Sequence, residues 1–145
     1  MSVGRICLRD VDLADGGESA LEAAHRMRER RVGTLVVLNQ EEQPVGLVTD
    51  RDLALRVLAE GRDPRATTVG AVMTANPKTI VEDAPIESAL ALMKGGGFRR
   101  VLVVDRAGKL VGIVSLDDVL ALLAEEFALI GRLLERATPH PTSQP

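Results

Sequence analysis

Aromatic side chains are nearly missing: Phe98 and Phe127 are the only two in 145 residues, with no tryptophan or tyrosine. A core here must be aliphatic. Single-stranded nucleic acids are gripped on aromatic stacking platforms, which this chain does not supply. Its net charge of −3 also removes any general attraction to a polyanion, so nucleic acid is not an expected partner. The single cysteine, Cys7, excludes an intrachain disulfide and a cysteine-based zinc site, and is expected as a small buried hydrophobe rather than a reactive thiol. Two distant histidines, His25 and His140, have no matched carboxylate cluster, so no metal site is expected. The N-terminus lacks a charged-then-apolar signal pattern, and no apolar run approaches the roughly 18 residues of a membrane span. No membrane association and a cytoplasmic location are therefore expected. There is no nucleophile–base arrangement and no Walker-type loop, since Gly95–Gly97 precedes a strand rather than a helix. No catalytic residue, and no enzyme, is expected.

What the chain does have is an internal repeat. Residues 3–60 align with 69–126 without a gap, at an offset of 66, and ten positions are identical. They include Val3/Val69, Gly4/Gly70, Val45/Val111, Gly46/Gly112, Val48/Val114 and Asp52/Asp118. Conservative pairs such as Thr49/Ser115, Leu47/Ile113 and Asn39/Asp105 fall between or beside them. The expected organisation is a first repeat at 1–61, a linker at 62–68, a second repeat at 69–126, a helical extension at 127–137 and a disordered tail at 138–145.

Each unit reads as β-α-β-β-α after a short helical turn, for which Ser2 and Thr68 are candidate N-caps. Asn76-Pro77 ends the second such turn, and Lys78–Val81 reads as a short strand. Asp83-Ala-Pro85 then looks like an N-cap with proline in the first turn. Ile86, Ala89, Leu90 and Met93 form one apolar helical stripe, matched by Ala20, Ala23, Ala24 and Met27. The runs 101–104 and 110–114, and 35–38 and 45–48, read as hairpins around Asp105–Gly108 and Asn39–Pro44. A helix carrying Leu53, Ala54, Val57 and Leu58 stops at Gly61. Its counterpart, with Val119, Leu120, Leu123 and Ala124, runs on through Phe127, Ile130, Leu133 and Leu134. That extension is expected to pack on the module or on another subunit. A unit of about 60 residues is marginal alone, so two should pack as one body with pseudo-twofold symmetry. Arg26, Arg28, Arg30 and Arg31 at the end of the first helix suit its dipole and solubility, with a phosphate or partner site as the minority reading.

The stretches Gly46-Leu-Val-Thr-Asp-Arg-Asp52 and Gly112-Ile-Val-Ser-Leu-Asp-Asp118 turn a buried strand directly into a helix. Thr49 and Ser115 sit where hydroxyls cap backbone N–H groups, and Asp52 and Asp118 sit in the first turn, favoured by the dipole. For one such motif a capping box is the simpler reading. Its recurrence favours two polar corners facing a shared cleft. A carboxylate with a neighbouring hydroxyl suits the vicinal hydroxyls of a ribose.

Together with Val69-Gly-Ala-Val-Met-Thr-Ala-Asn-Pro77, Arg100-Val-Leu-Val-Val-Asp105 and Arg31-Val-Gly-Thr-Leu-Val-Val37, these corners make the chain resemble a tandem pair of CBS domains, a Bateman module, over residues 1–126. The resemblance implies an α/β (α+β) fold of two packed β-α-β-β-α repeats, and adenosine nucleotide binding in the cleft between them. No cofactor is implied as a requirement. The implied ligand is AMP, ADP or ATP, with S-adenosylmethionine and NAD as alternatives. Asp118 and Asp52 would grip ribose, and Ser115 and Thr49 would help hold ribose or phosphate. Thr79, Ile80 and Val81 with Val101 would cradle adenine at the second site, and Leu13 with Leu35 at the first. Arg100, and Arg99 beside it, would meet phosphate. The first unit has Thr34 in the place of Arg100, with Arg51 as the candidate substitute. The Asp118 site is therefore expected to be the tighter one. The resemblance further implies a homodimer and a regulated protein partner. The alternatives are a ligand-free scaffold module with degenerate sites and, ranked last, an enzyme acting on a nucleotide.

Overall fold

The computed structural model describes residues 1–137; the expected tail, 138–145, lies outside the described residues, as does His140. The first pass of the chain forms α1 (Val3–Ile6), β1 (Leu13–Asp15), α2 (Ala20–Arg30), β2 (Thr34–Leu38), β3 (Pro44–Thr49) and α3 (Asp50–Leu53). The second forms α4 (Val69–Val72), β4 (Thr74–Ala75), β5 (Thr79–Val81), α5 (Ile86–Gly96), β6 (Arg100–Val104), β7 (Leu110–Ser115) and α6 (Leu116–Ala137). The fold is mixed α/β with two sheets, ordered β1-β2-β3-β4 and β5-β6-β7. In each sheet the short first strand lies parallel to the middle strand, which is antiparallel to the third. The middle strands are unbroken apolar runs because both of their faces are covered.

Polar side chains shape the hairpins as the Asn39/Asp105 match suggests. Asp105 Oδ1 accepts from the N–H groups of Ala107 and Lys109, and Asn39 Oδ1 from those of Glu41 and Gln43. Gly108 and Glu42 hold the left-handed position of the two turns, at φ 83° and 64°. The loops touch: Leu110 N–H donates to the Glu42 carbonyl at 3.0 Å, and Gln43 Nε2 to the Ala107 carbonyl at 3.0 Å. The two units therefore meet hairpin to hairpin.

The opening turns are exchanged between the cores. Val69 and Val72 of α4 are buried with Leu35, Val37 and Val48, whereas Val3 of α1 is buried with Val101, Val103 and Val114. Matching backbone bonds hold each turn across the molecule. Val3 N–H donates to the Ala84 carbonyl and Val69 N–H to the Glu18 carbonyl, both at 2.9 Å; Gly4 pairs with Glu82 and Gly70 with Gly16, again at 2.9 Å. After α4, β4 adds to the edge of β3 through Leu47 and Thr74; after α1, Leu8 makes the equivalent bridge to Ile113.

That bridge explains Gly112. A Cβ there would overlap the Leu8 carbonyl oxygen and stand 3.0 Å from Cys7 Sγ. The carbonyl belongs to the Leu8–Ile113 pair and cannot turn away without breaking it. Gly112→Ala should lose about 2–4 kcal/mol of stability, measured by denaturant titration. Gly46→Ala should lose less, since its Cβ would meet the flexible Met73 side chain. Cys7 itself is half-buried, and desolvation pushes its thiol pKa up, as befits a packing residue rather than a nucleophile.

Several helix ends differ from the sequence reading. Ser2 and Thr68 occupy the N-cap positions, but their side chains cap nothing. Pro85 is itself the N-cap residue of α5, while the Asp83 carboxylate bonds Arg106 at 2.9 Å. The hydroxyl that does cap α2 is that of Ser19, accepting from Glu22 N–H. Past α3 the chain widens into one π-helical stretch, Ala54–Leu58, before stopping at Gly61 with φ 65°. The α6 extension does not pack on its own module: Phe127 is 73% exposed, Ile130 51% and Leu133 66%. No helix among the described residues is long and apolar enough to cross a membrane.

Candidate functional site

Both corners form reciprocal capping boxes. Asp118 N–H donates to Ser115 Oγ at 3.1 Å while Ser115 N–H donates to Asp118 Oδ2 at 2.9 Å. The first corner repeats this with Thr49 and Asp52, at 3.1 and 3.0 Å. Each box uses one carboxylate oxygen. The second oxygen differs between corners. Asp52 Oδ1 lies 3.7 Å from Arg56 Nη1, whose guanidinium also donates to the Val72 carbonyl at 2.8 Å. The position equivalent to Arg56 is Leu122, so no cation competes for Asp118 Oδ1 among the described residues.

A cleft of about 690 Å³ opens beside the second corner, a size typical of small-molecule sites. Ser115, Arg99, Arg100 and Val101 line it, and Thr49 and Thr34 reach it from the first unit. Asp117, rather than Asp118, is the corner carboxylate on the wall; Asp118 stands behind, bonded to Ser115. The segment against the cleft is Asn76-Pro77-Lys78, just before β5. Thr79 to Val81 are not part of the wall: Ile80 turns into the second core at 8% exposure, and Thr79 and Val81 face solvent elsewhere. At the first corner Leu35 is fully buried in the first core, Leu13 is 42% exposed, and Arg51 is exposed beside Asp50.

Lys78, Arg99 and Arg100 give the cleft three cations against the single carboxylate of Asp117. Arg99 bonds Asp117 at 3.1 Å, but both side chains are mostly exposed, so the pair is weak and Arg99 can turn to an anion. Neither Lys78 nor Arg100 has a carboxylate partner among the described residues. Phe98, Lys78 and Thr74 escaped the sequence reading; they come together only through the exchanged turns and the α5 terminus. Among the described residues no cluster of three or more His, Cys, Asp or Glu could hold a metal.

The CBS domain family model matches the chain twice, at residues 3–59 and 69–125. A Methanopyrus kandleri protein of uncharacterised function is 38% identical over 120 residues, covering 83% of this chain and 61% of its own, so this chain spans under two thirds of that relative. A CBS domain protein from Pyrobaculum aerophilum, solved in complex with AMP, superposes with a TM-score of 0.70 at 26% identity, covering 81% of this chain and 89% of that one. The CBS domain pair of protein MJ0100, solved with 5′-methylthioadenosine and S-adenosyl-L-methionine, superposes with a TM-score of 0.72 at 27% identity, covering 87% of this chain and 98% of that one. Two matched repeats, one fold and one cleft between corresponding corners place this chain in the CBS domain family, as a tandem pair.

Proposed function

We propose that this chain is a regulatory module that binds an adenosine nucleotide in the second-corner cleft and signals its presence to a partner protein. One observation carries the reading: Ser115, locked to Asp118 by their reciprocal capping box, shares a cleft with Lys78, Arg99 and Arg100. The carboxylate suits ribose hydroxyls, and the cations suit phosphate. That two relatives of this fold were solved with adenosine-containing ligands supports it. A net positive cleft favours AMP, ADP or ATP over S-adenosylmethionine, whose sulfonium is itself a cation. Calorimetric titration of nucleotide-free protein with AMP, ADP, ATP, NAD and S-adenosylmethionine tests the reading. Binding of the phosphorylated ligands is expected; folded protein that binds none of the five would refute it.

A second reading, a ligand-free scaffold, draws on the exposed face of α6. Leu120, Leu123, Phe127, Ile130 and Leu134 are spaced by three and four residues, a heptad seam. We assign that seam to a homodimer contact in either case. Phe127→Glu combined with Ile130→Glu should turn a dimer into a monomer in size-exclusion chromatography with light scattering, and wild-type protein that is already monomeric at micromolar concentration would exclude the contact.

A further inference from the structure

The two corners follow the same backbone course, yet the charged side chains around them differ. Lys78 carbonyl accepts from Leu102 N–H, and Asp12 carbonyl from Val36 N–H, so residues 10–12 stand in the register of 76–78. At the second corner this segment supplies Asn76 and Lys78. At the first it supplies Asp10 and Asp12. The helix ends differ in the same way. α5 closes on Gly95, Gly96 and Gly97, with Gly97 on the cleft wall, whereas α2 closes on Glu29, Arg30 and Arg31.

Arg30 uses its side chain at that place. Its Nε donates to Asp12 Oδ1 at 2.7 Å, and its Nη2 lies 3.7 Å from Asp10 Oδ2. The bond ties the end of α2 to the segment entering β1, across the position where glycine leaves the second corner open. Asp12 is largely buried by this contact, its side chain 15% exposed. The third change is at Gly33, the counterpart of Arg99. The Asp50 carboxylate rests against it, with Oδ2 3.0 Å from where a Cβ would be. The first corner thus presents Asp10, Asp12 and Asp50 where the second presents Asn76, Lys78 and Leu116, and it lacks both Arg99 and Arg100, with Arg51 in the place of Asp117 as the one exchange of opposite sign.

We infer that the Arg30–Asp12–Asp10 contact is a strap that closes the first corner, so that the chain takes one nucleotide and not two. The inference rests on the adenosine-nucleotide reading above. Two effects act together. The strap crosses the approach at the end of α2, and the carboxylates of Asp10, Asp12 and Asp50 outnumber the neighbouring cations Arg30 and Arg51, which disfavours a phosphate. Arg30, Asp10 and Asp12 are then the residues that set the ligand count, although none of them touches a ligand. Because the backbone is shared, exchanging side chains alone should create the missing site.

The test is a triple variant carrying the second corner's residues, Asp10→Asn with Asp12→Lys and Arg30→Gly, titrated with AMP and with ATP by calorimetry. Arg30→Ala with Asp12→Lys is the companion, avoiding glycine inside α2. Circular dichroism checks that both are folded. Wild-type protein should bind one nucleotide per chain and the triple variant two, and Asp52→Asn in the triple background should return the count to one. Two nucleotides on wild-type protein, or one on both folded variants, would overturn the strap. No binding to wild type but one site gained in the variant and lost with Asp52→Asn would support the strap while refuting nucleotide binding at the second corner. No binding to any of them would overturn both.

Discussion

Replacing Asp118 by alanine should weaken nucleotide binding by about a hundredfold, and destabilise the chain only modestly. The two effects separate because the carboxylate has two oxygens with different work. Oδ2 holds the Ser115 N–H in the capping box. Losing an N-terminal box of this kind costs about 1 kcal/mol. For a protein of this size that is a fall of about 2–4 °C in Tm. Oδ1, which the box leaves unused although Asp118 is set back from the cleft wall, is the oxygen proposed for ribose. A hydrogen bond to a charged group contributes about 1.5–3 kcal/mol, and the ribose presents two hydroxyls, which sets the hundredfold scale. Asp118→Asn keeps an acceptor for the box and loses the charge, so it should keep most of the stability and lose about tenfold in affinity. Asp52→Ala should lower stability by a similar amount and leave binding to the second cleft unchanged. Calorimetry and thermal melts on the three variants decide the matter. If Asp118→Ala melts early but binds as wild type does, both corners are helix caps and nothing more.

What could be seen in the sequence follows the range of the interaction that determines it. The strand–helix corners, the hairpins and the stripe in each long helix are set by residues within about ten positions of one another, and their spacing shows them. The pairing of Asn39 with Asp105 marks turns made by a side chain bonding its own backbone two and four residues on. The cleft wall was harder to see. A strand of alternating burial puts Ile80 inward and leaves Thr79 and Val81 outward, but which segment borders the cleft depends on β4 joining β3 of the first sheet, a contact between distant residues. Phe98, given no role by its sequence context, packs against the second core and also lines the cleft. Arg30 was readable as one of several arginines suited to a helix end; only its bond to Asp12, 18 residues away, gives it a separate role. The widened turn at Ala54–Leu58 has no local breaker residue to announce it. It accompanies the reach of Arg56 to the Val72 carbonyl, another long-range contact.

The exchange of opening turns has the largest consequence for stability, and it contradicts the simplest use of the repeat. By alignment Val3 belongs to the first unit; by packing it belongs to the second core, 0% exposed beside Ile6 and Cys7 in a cluster with Ile80, Met93 and Val114. Val3→Asp buries an unpaired carboxylate there and removes a packed side chain. Such changes cost about 3–5 kcal/mol, a large share of the roughly 5–15 kcal/mol that stabilises a domain. Hydrogen exchange locates the damage. Protection should fall first in α5 and β5–β7, far along the chain from the substitution, while β2 and β3 stay protected longer. The mirror variant, Val69→Asp, should loosen α2 and β1–β3 first, because Val69 lies in the first core. The second cleft rests on β6 and β7, so Val3→Asp should also reduce nucleotide binding without touching the site. Loss of protection confined to residues 3–60 in Val3→Asp would mean that each repeat carries its own opening turn, and the exchanged packing would be wrong. The exchange also explains why two units of this size are stable as a pair: neither core is complete without a turn donated by the other.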